Sequence, residues 1–278
     1  MVEINATQVK ELREATNVSM MECKKALTEA GGDMVKATKI LRERGMAVAA
    51  KKATRAANQG LVATAEADSG RIRSLVEVNC ETDFVARNDS FKAFVADMAA
   101  KACQSDDSQA DRQKDILTAK VAEIGENLII RRNVRFSLQG KGGVASYIHL
   151  NSKLGVLIEV SCQNDKTQET EAFRELLKDL TLHIAACSPQ YLVAKDVPAE
   201  VVAGEREIYA KQVKDKPPQV LEKIVDGKMK KFYSETCLVD QFFVKDPKQS
   251  ITALLAEKGK LLADTLAIRR FVRYQLGQ

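Results

Sequence analysis

Five groups of residues in this chain of 278 could do chemistry, and each falls short on type or spacing. Cys80 is followed by Glu81 and Asp83. A nucleophilic thiolate needs a base or a positive neighbour, whereas carboxylates raise a thiol's pKa, so thiol catalysis is not expected. His149 and His183 are the 2 histidines, too few for a metal site. Cys23, Cys80, Cys103, Cys162, Cys187 and Cys237 contain no CxxC pair, which fits reduced thiols packed as small hydrophobes rather than zinc ligands or a disulfide framework. Gly140-Lys141-Gly142-Gly143 lacks the spacing of a phosphate loop. Arg131, Arg132, Arg135 and Lys141 could touch phosphates, but no aromatics interleave them, and no direct nucleic-acid binding is expected. An RNA- or ribosome-binding scaffold is the alternative reading that these basic residues leave open.

A different kind of candidate lies in NCETDFVARND, residues 79–89, where Phe84 stands among Glu81, Thr82, Asp83, Arg87, Asn88 and Asp89. These neighbours suit a turn or a strand end. An internal repeat tells what the ring does. Laying residues 60–97 over 142–179 without a gap matches Gly60 with Gly142, Val62 with Val144, Glu77 with Glu159, Cys80 with Cys162, Asp83 with Asp165 and Phe91 with Phe173. Phe84 then falls on Lys166, so the fold does not demand an aromatic core residue there. An exposed Phe beside a carboxylate suits an anchor that enters a partner's pocket.

Each copy must position its loop with two strands and a helix. SLVEV (74–78) and VLIEV (156–160) read as strands, and the segments opening at Phe91 and Phe173 carry apolar residues at helical spacing. A helix over 111–124 and a strand through Leu128-Ile129-Ile130 should complete the first copy. A helix over 250–258 and a strand over 268–274 should close the second. Two α+β subdomains follow, each a small antiparallel sheet with helices on one face.

Ahead of them, residues 5–45 read as three short helices. Asn5 caps the first, with Val9, Leu12 and Ala15 inward. Ser19 and Glu22 form a capping box for the second, which stops at Gly31-Gly32. Asp33 caps the third, with Val35, Ala37, Ile40 and Leu41 inward and Gly45 as a left-handed exit. Met20 and Met21 point about 100° apart, so one should enter this small core while the other lies outside it. Lys10 and Arg13 make a basic rim. Lys51 to Gln59 reads as a linker. The second copy is interrupted after Asp196-Val197-Pro198 by a helix to about Val213, a break at Lys214-Asp215-Lys216-Pro217-Pro218, and a return helix over 219–231. Its inward positions are Val201, Ile208, Tyr209, Leu221, Ile224, Val225 and Met229. Such a hairpin cannot bury both faces against itself and should contact something.

The totals fit a multi-module chain. A hydrophobic content of 45% supports more than one core, and a net charge of +5 with interleaved acids is compatible with an acidic partner. No apolar run is long enough to span a bilayer, and the start resembles neither a secretory signal nor a transit peptide, so a cytoplasmic address is expected.

VKELRE, SMMECKKALTEAGGD, VNCETDFVAR, IGENLIIRR (124–132) and GKMKKFYSE occur in that order. Together with the duplication and the inserted hairpin, they make the chain resemble the bacterial elongation factor Ts family. That resemblance implies a ubiquitin-associated-like bundle at residues 1–53, core subdomains at 54–139 and at 140–190 with 232–278, and a coiled-coil insertion at 191–231. It implies the partner elongation factor Tu, a GTPase that delivers aminoacyl-tRNA, whose GDP release is accelerated. By the same resemblance Thr82, Asp83, Phe84 and Val85 intrude beside the nucleotide, disturbing its magnesium ion and phosphate loop. Lys10, Arg13, Met20 and Met21 touch the GTPase domain, and Gly125 and His149 reach the partner from the core. No cofactor, metal site or catalytic residue is implied; the hairpin is implied to assist either contact or self-association, and a homodimer of heterodimers is an implied assembly. The contact made by a further carboxy-terminal helix in many members is not expected after Leu276-Gly277-Gln278.

Overall fold

A computed structural model describes residues 4–16, 18–213 and 217–278. Three helices come first: α1 (Ala6–Thr16), α2 (Met20–Glu29) and α3 (Met34–Lys52). Then follow β1 (Gln59–Ala67), β2 (Ile72–Cys80), α4 (Asp83–Arg87), α5 (Asp89–Ala102), α6 (Gln109–Arg112), α7 (Lys114–Ile124) and β3 (Ile129–Ser137). The second copy comprises β4 (Gly142–His149), β5 (Leu154–Ser161), α8 (Asp165–Glu169) and α9 (Glu171–Cys187). The hairpin pairs α10 (Ala199–Gln212) with α11 (Pro218–Thr236), and β6 (Phe242–Phe243), β7 (Asp246–Ser250), α12 (Ile251–Leu261) and β8 (Ala267–Gln275) complete the described α-helices and strands. The fold is α+β, with one sheet ordered β1-β2-β3 and another β4-β5-β8. β4 and β5 run antiparallel, with Gly142 opposite Ser161 and His149 opposite Leu154.

The chain divides into two compact units, residues 1–65, 74–135 and 275–278 in one, and 66–73 with 136–274 in the other. In the first, Phe91, Phe94, Val95 and Met98 of α5 pack with Val76, Val78 and Cys80 of β2. In the second, Phe173, Leu176, Leu180 and Ile184 of α9 pack with Val156, Ile158 and Val160 of β5. Glu77 and Glu159, matched by the repeat, are buried carboxylates. The Arg132 Nε donates to Glu77 at 2.7 Å, and the Arg270 Nε donates to Glu159 at 2.7 Å. Gly60 and Gly142 are matched for a steric reason. Their φ angles are 142° and 143°, and a Cβ at either would lie 2.2 or 2.1 Å from the carbonyl oxygen of Val78 or Val160.

The amino-terminal helices enclose Val9, Leu12, Cys23, Ala26, Leu27, Ala37 and Leu41. Several finer expectations fail here. Ala15 is exposed, because the stripe passes from Leu12 to Thr16, whose hydroxyl donates to the Leu12 carbonyl. Val35, at the second position of α3, is 80% exposed, because Ala37, Leu41 and Gly45 form the buried stripe. Met20 and Met21 are both exposed, at 44% and 63%, because Cys23, Ala26 and Leu27 fill the core. Ser19 accepts from the Glu22 N–H, but the Glu22 carboxylate pairs with Lys25 and Arg44 instead of closing the capping box. Gly45 does not end α3. It is buried inside the helix, where a Cβ would approach that of Ala122 in α7 to 3.2 Å, so it serves close packing, and α3 absorbs the start of the expected linker.

Four other elements depart from expectation. The helix over 111–124 is broken at Gln113 (φ −108°, ψ 20°), leaving α6 capped by the Ser108 hydroxyl. The return helix of the hairpin continues to Thr236, since no Gly or Pro occurs between Lys228 and Thr236. Ile208 is exposed, while Val225 and Met229 are buried and Arg206 pairs with Asp226 at 2.9 Å. The expected break at Lys214-Asp215-Lys216 lies outside the described residues. The β6–β7 pair has no counterpart among the expected elements.

Candidate functional site

α4 carries the residues around Phe84, and the expected loop is a single helical turn. It forms because Thr82, extended at φ −121° and ψ 157°, accepts the Val85 N–H on its hydroxyl at 3.3 Å. At the other end Asn88 stops the turn and caps α5, accepting from Ser90 N–H at 2.8 Å and Phe91 N–H at 3.3 Å. Within the turn Ala86 is buried and Val85 half-buried, both against the α5–β2 core. That orientation sends Phe84 outward, 79% exposed. Asp83 pairs with Arg87 at 2.8 Å, an exposed contact of adjacent turns that a competing charge can replace.

The approach to α4 is built from charged groups. Glu81 accepts the Asn127 N–H at 2.6 Å and lies 3.5 Å from Arg55. The Asn127 hydrogen bond, opposed by burial and helped by Arg55 and Lys52, holds its carboxyl below the usual range. Gly125 ends α7 in the left-handed conformation, φ 81°, and its carbonyl accepts from the Lys52 ammonium.

The remaining expected residues lie elsewhere. Lys10 and Arg13 are exposed on α1, with Lys10 3.8 Å from Glu14. Met20 and Met21 stand exposed at the start of α2. His149, in the second unit, is exposed at the end of β4; its ring stacks on Tyr147 at 5.6 Å, and its Nδ1 lies 2.8 Å from the Tyr147 hydroxyl. Leu150 follows it, exposed and at φ 53°, opening a run of left-handed residues through Ser152. Sequence reasoning missed Leu150, although Leu-Asn-Ser after an alternating strand signals a turn.

Cys80 is buried, and its thiol donates to the Thr82 carbonyl at 3.1 Å. Arg131 and Arg132 pair with Glu77, Arg135 with Asp106 and Lys141 with Asp165, so the basic residues of the RNA-scaffold alternative are engaged by acids of the chain itself. Among the described residues no group of three or more His, Cys, Asp or Glu side chains could hold a metal ion, and no helix is long and apolar enough to cross a membrane.

A sequence model described as elongation factor TS matches residues 81–278. An elongation factor Ts of a Nitratiruptor species is 42% identical, the alignment covering 99% of this chain and 93% of that protein. Those of Trichlorobacter lovleyi and of Clostridium botulinum (strain Alaska E43 / Type E3) are each 42% identical over the same shares. A family match over most of the chain, joined to relatives that align with nearly all of it, leads to one conclusion: this chain belongs to the elongation factor Ts family.

Proposed function

We propose that this translation elongation factor is the guanine nucleotide exchange factor for elongation factor Tu. It presents Asp83 and Phe84 beside the partner's nucleotide, disturbs the magnesium ion and phosphate loop there, and promotes GDP release so that GTP can rebind. It acts by binding, with no covalent step. The observation that carries this reading is an aromatic ring, 79% exposed, on a helical turn capped at both ends. A large apolar side chain left in water on an ordered backbone is suited to fill a partner's pocket.

The magnitudes call for a wider surface than one ring. Driving a GTPase from its nucleotide-bound to its empty form by about 10⁴ requires roughly 5.5 kcal/mol of preferential binding. Burying one Phe supplies about 1.5–3 kcal/mol. Lys10, Arg13, Met20 and Met21 on the bundle, and Gly125 and His149 on the core, are the proposed sources of the rest. Because coupling is reciprocal, GDP must weaken this chain's binding by the factor by which the chain weakens GDP.

Stopped-flow release of a fluorescent GDP from loaded elongation factor Tu tests the proposal. Release accelerating with added chain until saturation is the expected result. A rate independent of the chain would refute it.

A further inference from the structure

We infer that Glu126 is a positioning residue for Phe84, a carboxylate that fixes the backbone from which the ring projects. This rests on the exchange reading above. The Glu126 Oε2 accepts the N–H of Glu81 at 3.1 Å and that of Thr82 at 3.0 Å, while Oε1 accepts the Thr82 hydroxyl at 2.6 Å. The same hydroxyl accepts the Val85 N–H, so one carboxylate orders two backbone donors and, through Thr82, the cap of α4. Hydrogen bonds to an ionised acceptor are roughly twice as strong as neutral ones.

Glu126 is itself anchored. Its neighbour Asn127 donates its N–H to the Glu81 carboxylate at 2.6 Å and its side-chain amide to the Arg55 carbonyl at 2.7 Å. Glu81 and the 126–127 segment therefore hold each other reciprocally, each carboxylate taking a backbone donor of the other strand of chain. Phe84 begins two residues beyond the last clamped N–H. Its direction in space follows from that clamp, and a ring already ordered loses less freedom on entering a pocket.

The second copy supplies the control. Asp264 Oδ1 accepts the Gln163 N–H at 2.8 Å, and its Oδ2 accepts the Asn164 N–H at 3.0 Å and the Thr167 hydroxyl at 2.5 Å. Burial acts to raise this carboxyl, but those hydrogen bonds and that of the Thr265 N–H hold it below the usual range. The device is thus common to both copies, but in the second it presents Lys166. A carboxylate serving only the fold would matter equally in both; one that positions the ring matters for exchange in the first alone.

The test compares Glu126→Ala with Asp264→Ala by melting, amide hydrogen exchange and stimulated GDP release. Glu126→Ala should speed amide exchange across 83–87 and lower kcat/KM for release about tenfold, which at 1.4 kcal/mol per decade corresponds to re-ordering about one backbone residue. Asp264→Ala should speed amide exchange across 165–169 and leave release unchanged. In a Phe84→Ala background, Glu126→Ala should cost clearly less than its tenfold effect in the wild type, since it acts through the turn that carries the ring. Wild-type release in Glu126→Ala, an equal loss in Asp264→Ala, or a full additional loss in the double variant would each overturn the inference. Should Glu126→Ala melt below the assay temperature, Glu126→Gln, which keeps an acceptor for Thr82, takes its place under the same criteria. A wild-type chain that fails to accelerate release refutes the exchange reading instead, and amide exchange then still decides whether Glu126 orders α4.

Discussion

α4 and α8 are the same short turn built twice, and only one of them offers a ring. Each follows a buried central strand, begins on an identical aspartate, and is tied by a distant carboxylate, Glu126 or Asp264. Each leads directly into the helix that covers its sheet. The two differ in what they do with those parts. Asp165 is held by Lys141 at 2.9 Å, and the hydrogen bond and charge of Asp165 hold that lysine above its usual range. Asp83 is paired within its own turn to Arg87, a contact that can be surrendered at about 0.3–0.5 kcal/mol. Thr82 caps α4 through its hydroxyl, whereas Asn164 makes no side-chain cap on α8. The duplicated turn thus carries an exposed ring in one copy and a lysine in the other, with the same backbone element in both.

Changes to what the copies share should be the most damaging. Gly60→Ala and Gly142→Ala each force a Cβ against a strand carbonyl at positive φ, and each should cost more than about 4 kcal/mol, read as loss of cooperative melting. If one is tolerated, the two sheets are not equivalent at their opening strands. Next come the buried carboxylates. Glu77→Ala takes the carboxylate from Arg131 and Arg132, and Glu159→Ala takes it from Arg270; because these arginines are partly exposed, each change should cost about 2 kcal/mol in denaturant unfolding. Unequal losses would show which copy the fold depends on more.

Phe84→Ala separates the copies. Removing the ring should forfeit about 1.5–3 kcal/mol of partner engagement, slowing stimulated GDP release at least tenfold with unchanged melting. Lys166→Ala should change neither. A slow Lys166→Ala, or a lowered melting temperature in Phe84→Ala, would break the assignment of function to α4.

The smallest effect belongs to the second copy. His183 is buried on α9, its Nε2 3.0 Å from the Gln241 Oε1, its Nδ1 accepting the Val244 N–H at 3.2 Å, with the Cys187 thiol and the Phe243 ring beside it. Burial lowers its pKa, partly opposed by the Gln241 hydrogen bond. The unfolded chain therefore takes up the proton first, near pH 6.5, so stability is full above that pH and declines as pH falls below it. The first copy has Lys101 at the matching position, paired with Asp97 at 2.5 Å. Melting of wild type and His183→Gln between pH 5 and 8 should show a slope in that window for wild type alone.

Local chemistry wrote much of this molecule legibly. Ser19 and Asp33 start helices because their side-chain oxygens satisfy N–H groups a few residues away, and runs rich in Val, Leu and Ile mark β2 and β5, which are buried on both faces over most of their length. Phe84 could be read as exposed because the chain carries its own comparison in Lys166. What could not be read depends on residues far apart in the sequence. Gly45 looks like a helix end until α7 lies against it, and one of Met20 and Met21 looks like core until Cys23, Ala26 and Leu27 fill the space. Glu126 is one acid among 38 acidic residues until folding brings it to Thr82, 44 residues earlier. Caps and periodicities are short-range and announce themselves; close packing and a carboxylate's choice of donors are settled only when distant segments meet, because a buried group takes whatever partner the assembled fold puts within hydrogen-bond reach.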